Sequence, residues 1–194
     1  MTIKPTFRSF SETTREDWEN INREQAAMFT ELPDRILDHM SLLRGDASGF
    51  PIDRLDHCLQ TATLAHEAGE DEEYVVCALL HDIGDTLASL NHADLAATIL
   101  QPFVSEENHW MVKHHGIFQG YYFFHHIGLD RNMRDQFRDH PCYERTARFV
   151  ARYDNPAFDP EGPMQPLEFF EGMVKNVFSM PKQSLYPVTA VEGN

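Results

Sequence analysis

The sequence predicts an all-α protein, and three observations carry that reading. Apolar residues recur at helical rather than alternating spacing along nearly the whole chain. Helix punctuation is regular: Asp71, Asn91 and Ser105 each stand just before a periodic run, while Gly45 and Gly69 each follow one. The only local argument for a strand is the aromatic stretch Ile117 to Phe124, which reads as helix or irregular turn.

Taken in order, the first helix carries Trp18, Ile21, Gln25, Met28 and Phe29 as an amphipathic stripe, opened by Thr13-Thr14 as cap candidates. A second starts near Pro33-Asp34, carries Ile36, Leu37, Met40 and Leu43, and stops at Gly45. Residues Gly45 to Pro51 form a loop. The third helix runs from about Ile52 to Ala68 and buries Leu55, Cys58, Leu59, Ala62, Ala65 and His66. Asp71 caps the next, whose nearly continuous Val75, Val76, Ala78, Leu79 and Leu80 mark a central helix buried on most sides. Asn91 caps a helix through Leu95, Ala96 and Ile99 that ends before Pro102, and Ser105 opens the one leading to His114-His115. Tyr143 to Tyr153 and Leu167 to Phe178 are the last amphipathic stretches. Pro156, Pro160, Gly162 and Pro163 make the segment between them a loop. The tail from Pro181 is polar with short apolar patches, and reads as a docked or frayed terminus or as an arm on a second subunit.

A length of 194 residues suits one well-buried core, so a single domain is expected over 1–194. No apolar run approaches the roughly 20 residues of a membrane span, and the N-terminus lacks the apolar core of a signal peptide. Cytoplasm is the expected compartment. Cys58, Cys77 and Cys142 are isolated, without a Cys-x-x-Cys pair, as befits reduced core residues. A net charge of −15 repels polyanions and excludes nucleic acid as a partner. A small anionic molecule stays possible, because a bound metal inverts the local field. The expected partner is a small-molecule substrate, and the chain a monomer or homodimer.

The eleven histidines crowd between His57 and His140. His81 and Asp82 follow the central helix as an adjacent pair, and Gly84 frees the chain just beyond. Consecutive helical residues point about 100° apart. A helix end loosens that divergence, so Asp82 can give one oxygen to each of two ions. His57 precedes this pair on the third helix, His92 starts a helix, and Asp154 ends one. Of His114 and His115, at the close of another helix, His115 is favoured and the choice stays open. Imidazole and carboxylate hold iron, manganese or zinc without thiolate. Ligands arriving from several helices suit a shared ion pair. His39, His66, His109, His114, His125, His126 and His140 read as structural or solvated.

The order of Leu55-Asp56-His57-Cys58-Leu59-Gln60, Leu79-Leu80-His81-Asp82-Ile83-Gly84, Asn91-His92-Ala93, His114-His115-Gly116 and Arg152-Tyr153-Asp154 resembles the HD-domain superfamily over about residues 50–155. Within it, the chain is most similar to the small diiron oxygenases that cleave the carbon–phosphorus bond of 1-hydroxyphosphonates, relatives of myo-inositol oxygenase. The resemblance implies an all-α HD bundle with a metal-binding core at 50–155, N-terminal helices at 15–44 and a C-terminal helix and tail at 166–194. It also implies two iron ions, Fe(II)/Fe(III), with O₂ as co-substrate. His57, His81, Asp82 and Asp154 would hold one iron, and His92 and His115 the other, with Asp82 bridging.

Departures from that pattern concern the substrate. Asp85 and Gln119 stand where such enzymes place a basic partner for an oxyanion, and Gly49-Phe50-Pro51 precedes His57 in place of a Tyr and Glu pair. Asp82 and Asp85 are the candidate catalytic groups. Asp85, Gln119, Tyr121, Tyr122 and Arg152 are the candidate substrate contacts. Aromatic faces with a carboxylate suit a quaternary ammonium group, such as that of a trimethylammonio-hydroxyethylphosphonate. The alternative is an HD-type phosphohydrolase, with Mn as a possible metal. Asp85 and the shortage of Lys and Arg near the motifs count against it, unless an arginine from Arg131 to Arg152 folds back. A third reading is a non-catalytic binding or regulatory module.

Overall fold

The computed structural model describes residues 5–45, 47–179 and 181–183. These residues form eight α-helices, short 3-10 turns and one π-turn, with no strand among them. None of these helices is long and apolar enough to cross a membrane. The tail beyond residue 183 lies outside the described residues.

Helix α1 (Arg15–Thr30) opens on a capping box, in which the Thr14 hydroxyl accepts the Asp17 N–H and the Asp17 carboxylate accepts the Thr14 N–H. Its apolar stripe departs from expectation, because no residue of α1 is buried, and Trp18, Met28 and Phe29 are 40–53% exposed. The helix packs on α2 (Leu32–Ser41), and no other described element covers its opposite face to the point of burying a residue. Trp18 instead donates its indole N–H to Thr13 (2.9 Å) and packs on Phe10. Helix α2, with Pro33 in its first turn where no backbone donor is missed, buries Ile36, Leu37 and Met40.

The interior is built on α3 (Arg54–Glu67) and α4 (Glu72–Leu80), capped by Asp53 and Asp71. Every residue from Tyr74 to Leu80 is buried, as the unbroken apolar run predicts. Around this pair lie α5 (His92–Leu100), α6 (Glu106–Phe123), α7 (Tyr143–Phe149) and α8 (Leu167–Phe178). Helix α4 meets α3, α6 and α8; α6 meets α5 and α7; α8 also covers α2. A π-turn over Val150–Asp154 continues α7 and packs on α3 and α6.

Helix α6 does not close at His115. It runs on to Phe123 and ends in a 3-10 turn, Phe124–Ile127, so the aromatic stretch is helical. Phe118 is fully buried against Trp110 and Tyr143, which gives the continued helix an apolar face. Gly120 admits the returning Phe124 ring, which a Cβ would meet at 2.3 Å. His115 therefore sits mid-helix, braced on both sides. Cys58, Cys77 and Cys142 are all buried and unpaired.

Candidate metal centre

Three of the candidate imidazoles are fixed by backbone carbonyls. His57 Nδ1 meets the Ala157 oxygen at 2.8 Å, His81 Nδ1 that of Ala78 at 2.8 Å, and His115 Nδ1 that of Val112 at 2.7 Å. A carbonyl can only accept, so each Nδ1 carries a proton, and in the neutral ring each Nε2 is left with a lone pair. His92 differs, with its Nδ1 3.2 Å from Asp85 Oδ1.

The free nitrogens converge. His57 Nε2 and His81 Nε2 lie 3.1 Å apart, with Asp154 Oδ1 at 3.3 and 3.8 Å and Asp82 Oδ2 at 3.5 Å from each. On the other side of the same carboxylate, Asp82 Oδ1 lies 3.3 Å from His92 Nε2 and 3.1 Å from His115 Nε2, which are 3.3 Å from each other. Asp82 thus faces one imidazole pair with each oxygen. His57, His81, Asp82, His115 and Asp154 are all at most 1% exposed.

Lone pairs aimed at one another across 3.1 Å repel unless a proton or a cation lies between them. Ligands about 2.1 Å from a common ion stand about 3.0–3.4 Å apart, which matches these separations apart from the 3.5 Å and 3.8 Å contacts. Asp154 Oδ2 is buried without a hydrogen-bond partner, a costly condition that a cation relieves. Three overlapping sets of His and Asp have ligand atoms within 4.8 Å of one another. The donor set fits one or two hard-to-borderline divalent cations.

Local sequence explains the convergence. Helix α4 ends at Leu80, so His81 and Asp82 fall on the following turn and are freed from helical divergence. Gly84 lets α5 begin against this turn, since a Cβ there would lie 2.5 Å from the His92 carbonyl oxygen and 2.8 Å from its Cα. The π-turn, closed by the Asn155 N–H on the Val150 carbonyl, rotates Asp154 inward. Gln119, one turn beyond His115, donates to Asp154 Oδ1 at 2.7 Å. Phe158 lies flat on the His57 ring at 4.2 Å.

Electrostatics separate the groups. Burial holds His81 down at about 4 despite the nearby Asp82 and Asp154 charges. Burial also acts on His115, but the hydrogen bond to Asp82 and the Asp82 and Asp154 charges push it up to about 9. Burial would raise the Asp82 carboxyl, yet His81, His115 and Arg54 hold it well below the carboxylate range. Asp154 is likewise lowered, against its burial, by His57 and His81. Asp85 is raised by burial and by the Asp82 charge, with Arg54 and His92 opposing.

Beside the cluster is a cavity of about 580 Å³, whose walls include Phe50, Arg54, Asp85, His92, Gln119 and Tyr122. Of the candidate substrate contacts, Asp85, Gln119 and Tyr122 line it. Tyr121 and Arg152 do not. The Tyr121 ring lies against the Arg131 and Arg134 guanidiniums, at 4.2 and 3.7 Å, and Arg152 sits over Tyr153 at the surface. No arginine from 131 to 152 lines the cavity; Arg145 and Arg148 are spent on Asn108 and Glu70. His114 faces Trp110, stacked at 4.0 Å, and leaves His115 alone at the cluster.

Sequence reasoning missed Arg54. Its Nη2 donates to Asp82 Oδ2 and its Nε to Asp85 Oδ2, with the guanidinium 5.1 Å above the Phe50 ring. Burial works against its charge, but Asp82 and Asp85 more than compensate and raise its pKa. The ion pair joins positions far apart in the chain and has no spacing signature. Phe158 and Asn155, also in the wall, were hidden in the proline-rich loop.

Residues 54–155 match the HD-domain family. A 73-residue stretch is 37% identical to the [1-hydroxy-2-(trimethylamino)ethyl]phosphonate dioxygenase (glycine-betaine-forming) of Leisingera caerulea, covering 31% of this chain. The similarity spans 37% of that relative's length.

Proposed function

This chain belongs to the HD-domain family, and from that premise we propose that it is a diiron oxygenase cleaving the carbon–phosphorus bond of a small 1-hydroxyphosphonate. The observation that carries the proposal is Asp82, with one oxygen toward His57 and His81 and the other toward His92 and His115. A shared carboxylate between imidazole pairs is the protein half of a dinuclear site. The partial likeness to a phosphonate dioxygenase supports the choice of reaction.

The reaction balances with O₂ as the only oxidant. The hydroxyl-bearing carbon loses four electrons and becomes a carboxylate, phosphorus leaves as phosphate, and O₂ takes up the electrons. Iron, held by His57, His81 and Asp154 on one side and His92 and His115 on the other, would supply the redox step and polarise substrate oxygens. The chain's own residues do the rest. Backbone carbonyls at 78, 112 and 157 hold the imidazole rings in one orientation. Gln119 fixes Asp154, and Phe158 closes one side of His57 to water. Tyr122 and Phe123 offer aromatic faces to an ammonium-bearing substrate arm. Asp85 is engaged by Arg54 and His92, so its role is to set the charge of the wall rather than to receive that arm alone.

Anaerobic purification with metal analysis, followed by O₂ uptake and phosphate release on a panel of hydroxyphosphonates, tests the proposal. About two iron per chain and substrate-dependent O₂ uptake are expected. Arg54 gives the phosphohydrolase reading a cation that the sequence motifs lacked. Mn²⁺-dependent turnover of a phosphoester without O₂ uptake would decide for it.

A further inference from the structure

We propose that Arg54 is the anion anchor of the cavity, positioned in its wall by Asp82 and Asp85. The inference rests on the phosphonate reading above for the identity of the anion.

Arg54 is the one permanently cationic side chain in the wall of the cavity among the described residues. It is only 12% exposed. Its guanidinium divides its donors between two carboxylates, and one of these is the carboxylate best placed to bridge two ions. Asp82 Oδ2 thus serves two masters: it accepts from Arg54 and it faces His57 and His81 at 3.5 Å. A cation seated among His57, His81 and Asp154 draws on the same oxygen. A cation there and the Arg54 guanidinium share one carboxylate oxygen, two positive centres that compete for it. The Nε donation to Asp85 holds the side chain in the wall of the cavity.

Asp82, Asp85 and Asp154 against Arg54 leave the floor net negative, which repels a phosphonate. Two di- or trivalent cations reverse that sign, and Arg54 then stands as an additional donor beside them, where a planar fork suits a tetrahedral oxyanion. The platform beneath Arg54 is aromatic. Phe50, beneath Arg54, stacks on Phe158 at 5.3 Å, and Phe158 stacks on His57. The anchor is therefore registered against a ligand ring through two aromatic planes.

Two binding measurements on folded, full-length protein test this, with circular dichroism to confirm the fold of each variant. The first is Mn²⁺ affinity by competition with a chromophoric chelator. The second is affinity of the Mn²⁺-loaded protein for methylphosphonate, which lacks the reacting hydroxyl, followed by calorimetry. Arg54→Gln should bind Mn²⁺ as tightly as wild type or more tightly, and methylphosphonate at least about tenfold more weakly. Arg54→Lys, which keeps the charge and loses the fork, should fall between. Mn²⁺ affinity lowered more than tenfold in Arg54→Gln would overturn the proposal, since Arg54 would then serve to shape Asp82. Unchanged methylphosphonate affinity in that variant, or no binding by loaded wild type, would overturn it equally. Neither measurement involves O₂ or turnover. A wild type that consumes no O₂ but loses methylphosphonate affinity on Arg54→Gln keeps the anchor and loses the oxygenase reading; an active enzyme indifferent to Arg54→Gln does the reverse.

Discussion

Asp82 touches both imidazole pairs, whereas His115 touches one, and substitution should separate them. Asp82→Ala is expected to lose both ions and His115→Ala mainly one, read as metal per chain after gel filtration; equal metal content in wild type and Asp82→Ala would contradict a bridging role. Gln119 acts through Asp154, so Gln119→Leu should weaken metal binding by about 10-fold, in the range typical of an outer partner of a ligand. An unchanged metal affinity would leave Gln119 with substrate contact alone. The six His and Asp candidates were legible because their order along the chain is a pattern that single residues lack. That Tyr121 stands outside the cavity wall was not legible, because an aromatic run beside His115 has several faces, and sequence does not say which one Arg131 and Arg134 cover. Arg54 left no trace in the sequence because a guanidinium finds its carboxylates only after α3 has packed against the turn beyond α4.

At the scale of elements, Gly84 sets where α5 can start. Gly84→Ala should force the His92 backbone away, reduce bound metal from about two to one per chain, and cost about 1–3 kcal/mol of stability, the range of an overpacked contact. Two full metal sites in this variant would show that α5 adjusts freely. Glu73 ties the first turn of α4 to the start of α6, accepting from the Ser105 N–H (2.6 Å), the Asn108 amide (2.8 Å) and Lys182. Burial would raise its carboxyl, but these donors pull it down to about 2. A folded-state pKa below the unfolded value near 4.5 stabilises the fold above that pH, and the gain disappears as pH falls from about 4.5 to about 2. Glu73→Gln should therefore lose about 1 kcal/mol at neutral pH, after allowance for solvent screening, and show a flatter acid limb in urea melts. An acid limb identical to wild type would show that the pair contributes nothing. Caps and stops made the helices readable: Thr14, Asp71 and Ser105 cap through their side chains, whereas Asn91 stands at its N-cap position without a side-chain hydrogen bond and Asp53 caps a helix expected to start near Ile52. The run of α6 past His115 and the π-turn at Val150 were not readable, because both depend on what the aromatic residues find to pack against. The exposed stripe of α1 shows the converse, a periodicity that none of the described elements buries.

For the molecule as a whole, cations that bind only the folded chain must stabilise it. Saturation at about 100 times the dissociation constant should add about 2.7 kcal/mol, seen as a rise in Tm on adding Fe²⁺ anaerobically or Mn²⁺, and its loss on adding chelator. A Tm insensitive to both would argue against metal at this cluster. The net charge of −15 leaves that response strongly dependent on ionic strength, because counter-ions compete for the same field. The all-α architecture was legible as a whole, since helical spacing persists through the interior and the apolar run of α4 identifies its own centre. The contact between His57 and the Ala157 carbonyl spans 100 positions, and closure of so long a loop is entropically slow compared with helix growth. A nascent polypeptide must therefore emerge from the ribosome to residue 157 before the His57 ring can be oriented. Any cation at this cluster would be captured only after translation has passed that point.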